Sequence, residues 1–153
     1  MRRNDKQITD QKELYEILFE NRICRIALSH NDTPYIIPVN YGYHGNSIFI
    51  HSAREGYKLD IIRKNDKVCF EVTDSIDIVT AESACDFGTK YRSVIVFGKI
   101  KILSDLDKKI NALKIIMYQH TQKDLWNFNE KSLSRIVILE IEIESLTGKK
   151  SGV

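Results

Sequence analysis

The chain has 153 residues, enough for one domain with a proper core and too few for two comfortable ones. Its 42% hydrophobic and 29% charged residues match a globular protein and exclude a disordered chain. The formal net charge is +2, with Lys and Arg mixed among Asp and Glu almost everywhere. That distribution argues against a nucleic-acid partner, which needs concentrated basic charge.

The charged start, Met1–Lys6, lacks the apolar segment of a signal peptide, so a cytoplasmic protein is expected. Apolar stretches such as Ile36–Tyr43 and Val94–Gly98 are too short to span a bilayer. The first predicted helix is Asp10–Glu20: Asp10 can cap it, Glu13 stands where a capping box needs a carboxylate, and Leu14, Ile17 and Leu18 form a stripe. Three segments rich in β-branched and aromatic residues follow: Ile23–Ser29, Pro34–Tyr43 and Ser47–Ser52. The turn-forming Asn31-Asp32 and His44-Gly45-Asn46 between them predict an antiparallel meander. A short helix is expected near Glu55–Arg63 and a strand at Lys67–Thr73. Asp74–Lys90 has little periodicity and reads mostly as loop. Tyr91–Leu103 is the longest strand candidate, and Asp105–Gln119 carries Leu106, Ile110, Leu113 and Met117 at helical steps. In Ser134–Glu144, Val137, Leu139, Ile141 and Ile143 alternate with a partly charged face.

Six or seven strands with inserted helices cannot form a doubly wound parallel sheet, because the first three lack crossovers. A mainly β, antiparallel barrel with helices packed on it fits better. Cys24, Cys69 and Cys85 are odd in number and widely spaced, with no disulfide framework or zinc signature. Cys24 and Cys69 read as buried hydrophobes and Cys85 as a loop thiol.

Phosphate-binding glycine motifs are missing: Thr147–Ser151 resembles the end of a P-loop, but Ile143 stands where its first glycine is required. The densest chemistry lies in Ile50–Lys58. Ser52, Arg54 and Lys58 offer a hydroxyl and two cations as a strand gives way to a helix, which suits a phosphate. Charged turns are common, so the cluster alone also fits a plain connection. Tyr91-Arg92-Ser93-Val94 offers a second set of donors, or a sheet-edge arginine. Pro38-Val39-Asn40-Tyr41-Gly42-Tyr43 offers an amide and two phenols beside apolar surface, as the rim and face of a planar ring would need, or is an ordinary barrel strand with tyrosines. His51 is the histidine of interest, with an ordinary pKa of about 6.5 that suits acid-base work, although a histidine on an apolar strand is more often a satisfied core residue. Trp126 is a candidate substrate wall.

Together these segments resemble the nitroimidazole-resistance branch of the pyridoxamine 5′-phosphate oxidase-like flavoproteins. The resemblance is carried by Arg2-Arg3, Pro38-Val39-Asn40-Tyr41, the His51-Ser52-Ala53 to Gly56-Tyr57-Lys58 stretch, Tyr91-Arg92-Ser93-Val94 and Leu146-Thr147-Gly148-Lys149. It implies an FMN-binding split β-barrel and a homodimer with the cofactor at the subunit interface. It also implies that Pro38, Val39, Asn40 and Tyr41 flank the flavin ring. His51, Ser52, Ala53 and Lys58 would then serve the ribityl-phosphate side, with Tyr91, Arg92, Ser93 and Val94 nearby. His51 would be the catalytic residue, and a planar nitroaromatic or nitroimidazole-type molecule the acceptor. The Arg-x-His pair of true pyridoxamine phosphate oxidases is absent near the C-terminus, so oxidation of that vitamin is not implied. The alternative is a barrel that holds flavin, haem or a deazaflavin without turnover.

Overall fold

The computed structural model describes residues 3–153; Arg2 of the Arg2-Arg3 pair lies outside them. In chain order the elements are β1 (Gln7–Ile8), α1 (Gln11–Glu20), β2 (Ile23–His30), β3 (Thr33–Asn40), β4 (Gly42–His44) and β5 (Ser47–Ala53). There follow α2 (Tyr57–Ile62), β6 (Lys67–Val79), β7 (Gly88–Leu103), α3 (Leu106–Thr121), α4 (Glu130–Leu133) and β8 (Ile136–Ser151). The eight strands make one sheet in the order β3-β2-β6-β7-β8-β5-β4, with β1 paired to β8 and every pairing antiparallel. The sheet curls around a core but stays open, with β3 and β4 as its ends. This is the mainly β, split-barrel-like architecture expected, with more strands than the six or seven predicted.

The inner face carries the main core. Cys24, Ile26, Phe70, Val96, Ile141 and Ile50 meet there, closed at the openings by Leu14, Ile17 and Leu18 of α1 and by Leu59, Ile61 and Ile62 of α2. A second, smaller core lies on the outer face, where Ala112 and Leu113 of α3 and Leu133 of α4 cover Leu103 and Ile138. The helix α3 presses so close to β4 that a Cβ on Gly42 would lie 2.7 Å from the Ile116 backbone. Buried Gln119 pins the same helix: its amide nitrogen donates to the carbonyls of Leu18 and Asn21, and its oxygen accepts from the Tyr43 amide.

Four expectations are corrected. The three-strand meander does not form. The predicted strand Pro34–Tyr43 breaks at Tyr41, which is fully buried and donates its amide to Arg22 O and its hydroxyl to Leu18 O at 2.6 Å. Past that anchor the chain changes direction, and β5 lies between β4 and β8 instead of beside β3. Asp74–Lys90 is largely strand: β6 runs on to Val79 and β7 starts at Gly88. Residues 75–80 are all exposed, so this extension has no buried face to impress an alternating pattern on the sequence. Glu13 does not close a capping box, because both its carboxylate oxygens take Lys150 Nζ, at 2.9 and 2.8 Å. On α3 the buried face is Ala112, Leu113, Ile116 and Gln119, and Leu106 is exposed.

The last strand also exceeds its prediction, reaching Ser151 and absorbing the P-loop-like Thr147–Ser151. Cys24 is buried and Cys85 exposed, whereas Cys69 is only half-buried, on the outer face.

Candidate functional site

Strand β5 alternates. Ile48, Ile50 and Ser52 turn into the core, while His51 and Ala53 face the side covered by α3. The strand ends in the turn Arg54-Glu55-Gly56, and Gly56 (φ 127°) holds a backbone conformation that side chains disfavour. That turn swings the chain into α2 and brings Lys58 beside His51.

Two grooves meet at His51. The first, about 370 Å³, runs between β3 and the β5–α2 turn and includes Tyr35, Ile37, Ser52, Tyr57 and Lys58 in its walls. Tyr35 and Tyr57 close one side edge to face, with centroids 5.1 Å apart. The second, about 310 Å³, lies between the end of β3 and α3 and is lined by Asn40, Leu113, Ile116, Met117 and His120. His51 lines both. One imidazole thus stands between a groove with a hydroxyl and a cation and a groove that is mostly apolar.

The electrostatics follow from this placement. Partial burial lowers the His51 pKa, and the neighbouring charges of Lys58 and His120 lower it further. The neutral imidazole is therefore the favoured form at neutral pH. Partial burial also lowers the Lys58 pKa. Among the described residues Lys58 makes no ion pair, so its charge is available to a ligand. Across the second groove, His120 Nε2 is sealed from solvent and has no hydrogen-bond partner.

The other expected residues are placed as follows. Pro38 and Asn40 point outward on β3 and Val39 packs against the core; Asn40 reaches the second groove. Tyr41 does not reach either groove, since its ring packs edge to face on Phe70 inside the core. Arg54 is drawn away to the Ser134 carbonyl at 3.0 Å. Trp126 donates to Lys123 O at 3.1 Å in the segment after α3 and lines neither groove.

Within one chain, Tyr91–Val94 are not part of this site. His51 pairs with Ile138 of β8, whereas Ser93 pairs with Lys149, eleven residues further along the same strand. That separation is about 36 Å measured along an extended strand. Val94 is buried, Ser93 Oγ donates to Lys149 O at 3.4 Å, and Tyr91 lies 5.8 Å beneath Lys149 Nζ. Arg92 is held by Asp74 through two hydrogen bonds, at 3.0 and 2.9 Å, and by Glu20 at 3.2 Å. Burial opposes the Asp74 charge, yet donation from Arg92 and Asn21 outweighs it and leaves the carboxyl below its usual pKa.

Sequence reasoning missed the part played by α3. Leu113, Met117 and His120 follow one another at steps of four and three, so the apolar stripe read as far as Met117 extends by one step to the histidine. A larger cleft of about 570 Å³ lies beside α1, lined by Tyr15, Phe19 and Tyr43 with Lys12, Glu16 and Glu20. It holds no histidine or hydroxyl cluster comparable to that around His51.

The family model for pyridoxamine 5′-phosphate oxidase matches residues 10–150, nearly the whole chain. The chain belongs to that family. Within the pyridoxamine 5′-phosphate oxidase family fold, several solved structures are similar. A candidate 5-nitroimidazole antibiotic resistance protein from Bacteroides thetaiotaomicron is 25% identical with a TM-score of 0.84, covering 94% of this chain and 86% of that one. The flavocytochrome Anf3 of Azotobacter vinelandii (19% identical, TM-score 0.86) covers 100% of this chain and 72% of its own. The FAD and heme binding protein of Mycobacterium smegmatis (23%, TM-score 0.83) covers 97% and 74%. At those identities the last two show likeness of fold. An uncharacterised protein of Rhizobium meliloti is 28% identical over 97 residues, 63% of this chain and 57% of that protein. The match thus spans little more than half of that relative. No helix among the described residues is long and apolar enough to cross a membrane.

Proposed function

We propose that this protein is an FMN-dependent oxidoreductase that reduces planar acceptors of the nitroaromatic or nitroimidazole type. The observation that carries the reading is His51, one imidazole shared by a groove with an unpaired cation and a groove with apolar walls. The donor set fits the cofactor: a flavin mononucleotide needs a phosphate partner at one end and a polar rim beside apolar surface at the other. Lys58 and Ser52, with the Ala53 backbone, would hold the phosphate side, and Asn40, Val39 and Pro38 the ring side. Bound FMN supplies the electron transfer, which side chains alone cannot provide.

The chain's own part is binding and protons. A neutral His51 has one N–H and one bare nitrogen, so it can donate to a polar group on the acceptor and also take up a proton. Its lowered pKa, from partial desolvation and the nearby Lys58 and His120, favours that form. The likeness to the Bacteroides protein supports the acceptor class.

The reading includes a homodimer. The outer face of the sheet away from α3 bears an apolar row in register, Ile36–Ala27–Cys69–Phe97, and Ile36 and Phe97 are 63% and 55% exposed. A row of this kind is suited to cover by a second copy. A second copy is also the only means by which Tyr91–Val94 would join a cofactor site at His51. Size exclusion at low concentration should give the dimer mass; a single monomeric species would remove this part.

The direct test is the visible spectrum after saturation with FMN and removal of the excess. Oxidised-flavin bands at about one per subunit are expected, and a colourless protein would overturn the reading. In the loaded protein, with the flavin photoreduced under anaerobic conditions, His51→Ala should slow turnover of a nitroaromatic acceptor by about a hundredfold, as loss of a proton donor does. Unchanged turnover with FMN still bound would remove His51 from the chemistry.

A second reading, a flavin, haem or deazaflavin binder without turnover, draws on the two imidazoles of His51 and His120 in one apolar groove. Imidazole is a common iron ligand. Haemin titration followed in the Soret region, with no acceptor reduced by the flavin-loaded protein, would favour it.

A further inference from the structure

Apart from the His51 site, the molecule exposes a second apolar region where α1, β4 and α3 meet. Tyr15 and Phe19 of α1, Tyr43 of β4 and Tyr118 of α3 converge there in two pairs. The rings of Tyr15 and Tyr43 stack with centroids 6.0 Å apart, and those of Phe19 and Tyr118 tilt together at 6.3 Å. Tyr15, Phe19 and Tyr118 nevertheless remain exposed. Single exposed apolar side chains are ordinary, whereas a contiguous group marks a surface of contact. Two adjoining clefts, of about 570 and 310 Å³, share Phe19 and Tyr43 and so form one trough. The smaller end is bordered by Lys114, Ile115 and Asp124.

The walls are held in place from behind. Gly42 lets α3 approach β4 to contact distance, and Gln119 ties the helix to Leu18, Asn21 and Tyr43 by three hydrogen bonds. Two further features say what fits the trough. Leu125, the residue after Asp124, is 96% exposed. Trp126 turns back to donate to Lys123 O, which leaves Leu125 as a lone apolar knob at the end of a trough that its own chain does not fill. Lys114 and Asp124 border one cleft with opposite charges, yet neither makes an ion pair among the described residues. Knob, trough, cation and anion therefore share one surface. Such a surface is complementary to itself, which is the condition for a twofold contact.

We propose that the trough is a self-association surface: a second copy of this chain places its Leu125 there across a twofold axis, and Lys114 of each copy pairs with Asp124 of the other. A partner of one dominant charge fits less well, because the rim carries both signs along its length, Lys12 and Glu16 at one end and Lys114 and Asp124 at the other. The surface shares no residue with the sheet row Ile36–Ala27–Cys69–Phe97 offered above for the homodimer, and it does not depend on that reading. With both contacts made, two dimers join into a tetramer.

The test is sedimentation equilibrium of the full chain over a range of protein concentrations. The wild-type protein should pass reversibly from dimer to tetramer. Leu125→Asp should weaken that step by about a hundredfold, because the twofold buries two leucines. Lys114→Glu and Asp124→Lys alone should each weaken it, and the double variant, with the charges exchanged, should recover it. Phe97→Asp acts on the sheet row and should leave a monomer–dimer equilibrium that Leu125→Asp abolishes. A Phe97→Asp protein that stays monomeric throughout, or wild-type assembly that Leu125→Asp does not change, would overturn the proposal. A trough that serves a different protein or a small molecule would give those same results. Dimers that survive Phe97→Asp but not Leu125→Asp, with no tetramer in the wild type, keep this surface and lose the homodimer across the sheet. Leu125 is almost fully exposed, so its substitution spares the fold. Its comparison with the wild type decides the matter even if Phe97→Asp fails to fold.

Discussion

Lys58 and Arg92 look equivalent on paper, each a cation beside a serine or tyrosine at the edge of a regular element, and the structure treats them in opposite ways. Arg92 is clamped by Asp74 on two sides and by Glu20, its charge already matched within the fold. Lys58 is half-buried, makes no ion pair among the described residues, and lines a groove that Glu55 also borders. A cation with its counter-charge in place contributes to the fold of its own subunit, while one without a pair has its charge free to meet a ligand, the role proposed for Lys58. Composition and spacing could not separate the two, because the partners of Arg92 are eighteen and seventy-two residues away in sequence.

The contrast can be broken most directly by removing each charge. Lys58→Ala should weaken FMN by about ten- to a hundredfold, the loss of a charge-assisted hydrogen bond. It should leave affinity for riboflavin, which lacks the phosphate, unchanged. Fluorescence titrations with both flavins check this, and an equal loss for both would mean that Lys58 does not read the phosphate. Arg92→Ala should act on the fold instead. It removes a half-buried pair and should cost about 1–2 kcal/mol, between the exposed and buried limits for ion pairs. Urea unfolding measures that cost, and FMN affinity should fall less than about threefold, the range of ordinary context effects away from a contacted phosphate. A loss as large as that of Lys58→Ala would instead assign Arg92 to the cofactor of a neighbouring subunit.

The smallest effect separates the two regions by pH. The folded protein holds His51 below its ordinary pKa, so the unfolded chain takes up that proton first. Stability should therefore begin to fall as the pH drops below about 6.5, the unfolded value, and stop falling on this account below the folded value. Asp74, also depressed, gives stability that is complete above the unfolded carboxyl pKa near 3.8 and is lost as the pH falls through its lower folded value. Thermal melts from pH 7 to 3 should show two separate declines. His51→Asn should flatten the upper one only and Asp74→Asn the lower one only.

The sequence carried the outline of the fold through alternation. Ile23–Ser29 and Lys67–Thr73 have one face each in the core, and their pattern shows it. Where that cause is missing, so is the signal: the β6–β7 extension pairs by backbone alone and reads as loop. The broken meander has a different source. Tyr41 fits a strand by type, and only the distant carbonyls of Leu18 and Arg22 turn it into a corner. Ser52, His51 and Lys58 were legible because they lie within seven residues of one another. The groove behind them was not, since its walls come from β3 and from α3, more than sixty residues later.

Both prolines of the chain, Pro34 and Pro38, sit in β3, one of the two ends of the open sheet. Alternate residues of a strand direct their backbone groups to the same side. The β2–β3 register runs unbroken from Thr33 to Asn40, so the prolines belong to the set that faces away from β2. Between them only Ile36 has an N–H to offer along that free margin. The carbonyls of Pro34, Ile36 and Pro38 remain as acceptors, but a stray strand from another molecule would find two of the three donors missing, which disfavours edge-to-edge growth of a curled but unclosed sheet.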